Sequence, residues 1–416
     1  MTHRLTERPY YEAALRPWRD TAGLVKVIVG VRRCGKSTLL DLYRDDLLQD
    51  GVGEASVLSL NFESLELADT NSPQALGALV TAHQFPSGKR YIFLDEVQLV
   101  PGWQQAVNSL RLDERNDIYV TGSNARLLDS QLATLLSGRY VTIEVFPLSF
   151  AEYVNFVPAG PSLATLFNDY LRRGGLPGQF DLPDDQRVQT QYIDAVLNTI
   201  ITKDIIAQRE VRDVDALLKI VRYLSANVGR QVTAKGVADY LTSSGRRVTP
   251  DTVDNYLGLL EDAYLFYRAK REDLRGKATM KTNDKFYTVD LGFRTVTQGL
   301  GSWDLGAALE NVVYFELRRR FHKVSVGKYG AEEIDFVCFT PNDGLAYFQV
   351  TASMLDPTTA ERELGPLQAL TDSYPKTILT LDEVLTPDVD GIKVVNLVEW
   401  LLARSHTQGT GAQGRT

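Results

Sequence analysis

Five short, mostly apolar runs set the rhythm of the N-terminal part of the chain: Leu24–Val29, Ala55–Leu60, Tyr91–Leu94, Asp117–Asn124 and Tyr140–Val145. Runs this short, rich in β-branched and large apolar residues, predict strands buried on both faces, the habit of a parallel sheet. Between them the spacing changes to a helical one. From Thr38 to Leu48 the apolar positions are Leu39, Leu40, Leu42, Tyr43, Leu47 and Leu48, and Leu127–Leu136 also predicts a helix. Residues 1–23 form a lead-in whose Tyr10, Tyr11, Leu15 and Trp18 are available to cover the core's edge. Pro147–Gln208 is predicted mostly helical, with a loop at Gly174-Gly175-Leu176-Pro177. Helical spacing over Tyr192–Ile206 closes that part.

Farther on, three short helices are predicted over Ala216–Val228, Thr233–Leu241 and Thr249–Tyr264, before Phe266, Tyr267 and Ala269 alternate into a strand. The last part predicts a helix opening at Leu309-Glu310 and strands at Val324–Gly327, Glu333–Val337 and Leu345–Thr351. A helix over Thr358–Leu370 and a strand over Thr377–Leu381 complete it. From Ser405 the chain is rich in Gly, Gln and Thr, a composition that predicts disorder.

At 416 residues the chain exceeds what one core usually holds, so two to four domains are expected. Apolar and charged fractions of 44% and 24% are those of an ordinary globular protein, and a net charge of −8 argues against non-specific coating of nucleic acid. Two cysteines, Cys34 and Cys338, exclude a disulfide framework or a cysteine zinc cluster. No apolar run reaches membrane-spanning length, and the start lacks the apolar core of a signal peptide. The expected location is the cytoplasm.

The strongest chemistry lies where the first strand meets the first long helix. After Val29 the chain reads Gly30, Val31, Arg32, Arg33, Cys34, Gly35, Lys36, Ser37, Thr38, which fills the phosphate-loop pattern G-x-x-x-x-G-K-[ST] in its strand-loop-helix setting. The glycines let successive N–H groups turn inward toward phosphate oxygens, and the helix N-terminus adds partial positive charge. Lys36 can reach the β- and γ-phosphates, and the Ser37 hydroxyl can ligate Mg²⁺. Cys34 is either a place where oxidation blocks nucleotide entry or a variable loop position.

The run ending at Leu94 is followed by Asp95-Glu96. With a phosphate loop upstream, an aspartate at a strand tip holds the Mg²⁺ shell and the next glutamate polarises the attacking water. Ser123 and Asn124 close the fourth run at the edge where parallel sheets bind ligands, and can touch γ-phosphate or water; a plain turn or helix cap explains them equally. Arg139 reads either as an arginine finger, in its own subunit or a neighbour's, or as a solvated surface residue.

In order, GVRRCGKST, IFLDEVQ, VTGSNARLL, LSGRY, FPLSFAEY and GGLP resemble the large family of predicted ATPases in the AAA+ superfamily, whose members carry a C-terminal domain of unknown function. The resemblance runs from about Arg8 to Leu402 and is most specific in the N-terminal motifs. It implies an Mg-ATP site in which Lys36, Ser37, Asp95 and Glu96 match position for position. Arg32 and Arg33 match the paired arginines of that family's phosphate loop. The GGLP turn would lie on the helical side of the nucleotide site.

Three helices and a hairpin suggest a winged helix-turn-helix. Its third helix carries Asp251, Asp254, Glu261 and Asp262 and no basic residue, which is unfavourable beside phosphate. Positive charge follows instead at Arg268, Lys270, Arg271, Arg275, Lys277, Lys281 and Lys285. A wing on a nucleic-acid backbone and a protein-protein or interdomain role both remain open. In the last part, Glu310 on a helix, Asp335 on a strand and the strand after it resemble the restriction-endonuclease-like core. The position of that core's acid-x-lysine triplet reads Gln349-Val350-Thr351, which predicts a nuclease fold without nuclease activity.

The expected fold is α/β: a phosphate-loop parallel sheet with flanking helices, a helical and winged-helix segment, and a C-terminal α/β restriction-endonuclease-like domain. Expected boundaries are 1–150 for the ATPase core, 151–208 for a helical extension, 209–275 for the winged helix, 276–404 for the nuclease-like domain and 405–416 for the tail. The expected function is Mg-dependent ATP binding and hydrolysis that repositions the C-terminal modules. Alternatives are a slow nucleotide-gated switch gripping DNA or a protein, and an ATP-dependent nuclease, against which the missing lysine at Thr351 speaks. A homo-oligomer is a further expected form.

Overall fold

The computed structural model describes residues 6–125, 136, 138–157, 160–207, 211–276, 278–279, 283–299, 304–340, 344–384 and 386–403. Apart from Leu136, the predicted helix over Leu127–Leu136 lies outside the described residues, as do Ser137, Lys277, Lys281 and the tail from Ser405. The chain divides into two compact units. One comprises Met1–Pro147, Thr202–Asp204 and Asp262–Tyr264, the other Leu148–Ile201, Ile205–Glu261 and Leu265–Thr416.

In the first unit the five predicted runs become β1 (Val25–Val29), β2 (Val57–Asn61), β3 (Arg90–Asp95), β4 (Asn116–Gly122) and β5 (Tyr140–Glu144). They form one parallel sheet in the order β2-β3-β4-β1-β5. β1 and β4 are buried at every position, whereas the edge strands β2 and β5 are partly exposed. That is why the central runs read as continuous apolar stretches. Helices Lys36–Gln49, Pro73–Ala82 and Trp103–Leu110 make the crossovers that parallel neighbours require. Of the lead-in residues, Tyr11 and Leu15 are buried while Tyr10 and Trp18 stay exposed.

Lys26, in the middle of β1, is fully buried. Asp117 at the start of β4 pairs with it, Leu24 O accepts from its Nζ at 3.1 Å, and the Tyr119 hydroxyl donates to Asp117 Oδ2 at 2.9 Å. Burial lowers the Lys26 pKa and Asp117 works against it. A buried charge survives only when paired and hydrogen-bonded in this way.

The second unit begins with helices Phe150–Phe156, Leu163–Arg173 and Gln186–Thr199. The first is opened by a capping box between Ser149 and Glu152, which satisfies two of the helix's free N–H groups. The predicted helix over Tyr192–Ile206 does not run through as α-helix, because Ile200–Ile206 is a π-helical turn. Helices Val214–Ala226, Ala234–Ser243 and Pro250–Asp262 follow, the first two capped by Asp213 and Thr233. They accompany a three-stranded antiparallel sheet ordered β6 (Gln231–Val232), β10 (Asp284–Thr288), β7 (Phe266–Ala269).

A larger sheet is built from β8 (Arg271–Asp273), β9 (Ala278–Thr279), β11 (Lys323–Tyr329), β12 (Glu332–Phe339), β13 (Leu345–Val350), β14 (Lys376–Thr380), β15 (Asp388–Val389) and β16 (Ile392–Asn396), in the order β15-β16-β14-β13-β12-β11-β8-β9. Ile334, Val337, Tyr347, Leu367, Ile378 and Ile392 form its core. Strands cross the expected 275/276 boundary in both directions: β8 pairs with β11, and β10 returns to β6 and β7.

The Gly174-Gly175 turn is held by Asp290, whose carboxylate accepts from the N–H groups of Gly175 at 2.7 Å and Gly292 at 2.8 Å. A Cβ on Gly174 would meet Asp290 Oδ1 at 1.7 Å, and Gly174 has φ +74°, so only glycine fits. Burial pushes the Asp290 carboxyl up to about 6. A carboxyl raised in the folded state stabilises below its unfolded value near 4 and loses that contribution as pH climbs through about 6. Across pH 4 to 7, unfolding free energies measured in urea should fall for the wild type relative to Asp290→Asn, by up to roughly 3 kcal/mol.

Candidate functional site

The phosphate loop is shaped first by lack of room. Gly30 has φ +147°, and a Cβ there would lie 2.1 Å from Val145 O and 3.1 Å from Cys34 Sγ. Arg33 at φ +68° and Gly35 at φ +99° turn the chain into helix Lys36–Gln49. No side chain caps that helix, and Leu39 N–H donates to Gly35 O at 2.9 Å. The N–H groups of its first turn lack intrahelical acceptors, and that of Lys36 is turned to the Cys34 thiol. Behind the loop, the buried Arg8 guanidinium donates to Cys34 O at 2.9 Å and Phe146 O at 3.0 Å. Burial pushes the Cys34 thiol up, which keeps it in its unreactive neutral form.

Lys36 is 4% exposed, and its Nζ donates to the loop's own carbonyls, Gly30 O and Val31 O, both at 3.1 Å. The ammonium thus lies inside the loop it was expected to serve. Ser37 is exposed and Thr38 half-buried.

Asp95 and Glu96 end β3, two strands from β1, with β4 between. Thr121 on β4 joins them: its hydroxyl donates to Asp95 Oδ1 at 2.5 Å and accepts from Glu96 N–H at 2.9 Å. Glu96 has φ +52°, and its Oε2 accepts from Gln98 Nε2 and lies 3.5 Å from Ser123 Oγ. Arg32 donates from Nε and Nη2 to Asp204 at 3.0 and 2.9 Å and from Nη1 to Glu63 at 3.0 Å. The Asp204 bonds outweigh burial and raise the Arg32 pKa. Asn124 Nδ2 donates to Asp204 O at 3.3 Å.

The structure therefore gathers Gly30, Arg32, Cys34, Gly35, Lys36, Asp95, Glu96, Ser123 and Asn124 at the C-terminal edge of one sheet, with Arg33, Ser37 and Thr38 in the loop or first helical turn. It does not bring Arg139 there. Register pairs Val25 with Tyr140 and Val29 with Glu144, so Arg139 sits at the opposite end of β5, roughly 20 Å of strand from the level where the loop starts. Arg139 is exposed at that end, and within its own chain it is no finger for this loop. Thr121, Gln98, Glu63 and Asp204 were not legible. Thr121 is one polar residue inside a strand, and Asp204 stands in a helical stretch with no motif around it.

A second constellation lies in the other unit. Lys285 Nζ is 2.8 Å from Glu310 Oε1, 2.9 Å from Glu333 Oε1 and 3.9 Å from Asp335 Oδ1. Tyr287 OH donates to Glu310 at 2.5 Å. Gln349 accepts from Asp335 N–H at 3.2 Å and donates to Glu363 at 3.0 Å. Thr351 takes no part; its hydroxyl donates to Ser353 O at 3.2 Å. Glu310, Asp335 and Gln349 do come together, with Lys285 and Glu333 added from β10 and β12. Burial works against the Lys285 charge, but the three carboxylates outweigh it and raise its pKa. Burial, then Glu310, raises that of Asp335.

Part of the basic run that follows the third helix, read as open to a nucleic-acid wing or a protein contact, is taken up inside the unit. Arg268 pairs with Glu261 at 2.8 Å, Arg271 with Glu333 at 3.2 Å, and Arg275 lies over the Tyr329 ring at 4.5 Å.

A family model described as an AAA domain matches residues 23–154, and one described as a domain of unknown function (DUF8612) matches 164–304. An uncharacterized protein of Haemophilus influenzae is 38% identical over 407 residues, 97% of this chain and 100% of that protein. The chain belongs to this family of AAA-domain proteins. The uncharacterized protein MJ1544 of Methanocaldococcus jannaschii is 27% identical over 385 residues, 86% of this chain and 80% of that one. The Walker-type ATPase paby2304 of Pyrococcus abyssi matches 70% of this chain and 95% of its own at 14% identity, with a TM-score of 0.50. This AAA-domain protein thus has the P-loop ATPase fold, and its described residues include no helix long and apolar enough to cross a membrane.

Lys285 is the cation that the second constellation is built around. Replacing it by methionine strands buried carboxylates and should destabilise the protein by about 3–5 kcal/mol in urea unfolding. Adding Glu310→Gln to Lys285→Met should recover part of that loss, the sign of coupling expected within one network.

Proposed function

We propose that the AAA domain binds Mg-ATP at the loop Gly30–Thr38 and hydrolyses it. One observation carries the reading: the Lys36 ammonium lies within the loop, 3.1 Å from two of its carbonyls, on the same sheet edge as the Thr121-linked pair Asp95 and Glu96. The residues fit the groups they would hold. Uncapped N–H groups and an ammonium held only by loop carbonyls suit phosphate oxygens. A hydroxyl and a carboxylate are hard oxygen donors of the kind Mg²⁺ takes.

Ser37 and Asp95 would hold the ion, which when bound supplies positive charge to the phosphate oxygens. Lys36 exchanges its two carbonyl acceptors for phosphate oxygen. Glu96 orients water for attack on the terminal phosphorus, and the bond to the leaving diphosphate breaks as the new P–O bond forms. Thr121 holds Asp95 and the Glu96 backbone at fixed spacing, so the metal and water positions are set together.

The nucleotide state would then reposition the C-terminal modules, and the partner we favour is a protein. The observation behind that choice is the internal pairing of Arg268, Arg271 and Lys285, which commits three of the run's cations to carboxylates instead of a phosphate backbone. The winged-helix reading of residues 209–275 and the nuclease-like reading of the larger sheet both belong to this proposal, the second as a fold without activity. An arginine finger from Arg139 would have to act on a neighbouring subunit.

Calorimetry and phosphate-release assays test the assignment. Lys36→Ala should abolish measurable Mg-ATP binding, whereas Glu96→Gln should bind like the wild type and lose roughly 100-fold or more in turnover. Normal phosphate release from either variant would sink it. Duplex DNA incubated with the wild type and Mg²⁺ or Mn²⁺ should stay intact on a gel, and cleavage that disappears in Glu310→Gln would restore the nuclease reading.

A further inference from the structure

Asp204 belongs to no motif, yet it meets three parts of the site. It reaches the first unit on the short returning segment Thr202–Asp204, within a π-helical turn of the kind that recurs at functional positions. Its carboxylate is 1% exposed and receives the Arg32 fork at 2.9 and 3.0 Å. Its carbonyl receives Asn124. The Ser123 hydroxyl lies 3.5 Å from Asp204 Oδ1 and 3.5 Å from Glu96 Oε2.

A hydroxyl has one proton, so Ser123 can donate to only one of these carboxylates at a time. The choice follows the charge each has left uncompensated. While the guanidinium fork lies on Asp204 that carboxylate is compensated, and the proton is better placed on Glu96. A hydroxyl donating to Glu96 Oε2 occupies a lone pair that would otherwise accept from the attacking water. When Arg32 turns to a phosphate, Asp204 is left buried without its cation, which is costly. It then draws the Ser123 proton and releases Glu96.

We propose that Asp204 and Ser123 form a relay through which the partner taken by Arg32 sets the readiness of Glu96 to act on water. The inference rests on the ATP-hydrolysis reading above. Asp204 is a positioning residue here, acting only through Arg32 and Ser123.

The test is epistasis in the full chain. Asp204→Asn draws the proton weakly and leaves Glu96 restrained, so kcat at saturating Mg-ATP should fall roughly 10-fold or more, with the calorimetric Kd for Mg-ATP within about threefold of wild type. Adding Ser123→Ala removes the restraint and should return most of the lost turnover. A merely structural Asp204 would show no such rescue. A kcat for Asp204→Asn within twofold of wild type, or a double variant no faster than the single, overturns the relay. Should Asp204→Asn melt early, Arg32→Gln/Asp204→Asn removes both buried charges and takes its place, with the same rescue expected. A wild type that binds no Mg-ATP removes the underlying reading, whereas a wild type that turns over beside unrescued variants removes only the relay.

Discussion

Between the end of β1 and the helix that follows it there is space for a hydrogen atom and nothing larger. β5 runs alongside β1, and Val145 donates its N–H to Val29 O at 2.7 Å. Its own carbonyl then stands where a Cβ on residue 30 would be. Any other side chain would push the loop off the sheet. With glycine there, the chain curls tightly enough for Lys36 to reach back to the carbonyls of residues 30 and 31. Arg8 holds the loop from behind by Cys34 O. The uncapped helix N-terminus, the buried ammonium and the acidic pair on β3 follow from that one close approach and from the direction of the parallel strands.

The second theme is how the molecule settles its buried charges. In three places a cation finds carboxylate partners within its own unit, since leaving one unpaired would cost several kcal/mol. Lys26 and Asp117 stitch β1 to β4 on the sheet's N-terminal side, away from the loop. Lys285 gathers Glu310, Glu333 and Asp335, so carboxylates that resembled metal ligands already hold a cation of their own. Arg32 with Asp204 and Glu63 differs in that the guanidinium lies in the loop itself, where a bound phosphate would compete for it. The same chemistry is architecture in two places and a candidate for control in the third.

Local pattern by itself determined the five strands of the first unit, the turn-forming glycines, Lys36 and the Asp95-Glu96 pair. Each is written in a few adjacent residues, where periodicity of two or 3.6 and the demand for positive φ act directly. The tertiary structure alone decided who meets whom. Arg32 and Asp204 are 172 residues apart in sequence, and Thr121 reaches Asp95 from 26 residues away. Such contacts leave no period to read. Arg139 read equally as a finger or a surface residue, and the pairing of β5 parallel to β1, which sets it at the end away from the loop, was decided only by the fold. The basic run after Phe266 likewise carried charge in plain view. Only folding revealed that Arg268, Arg271 and Lys285 are taken up by acidic partners on other elements, because pairing is a matter of distance through space and sequence records only order along the chain.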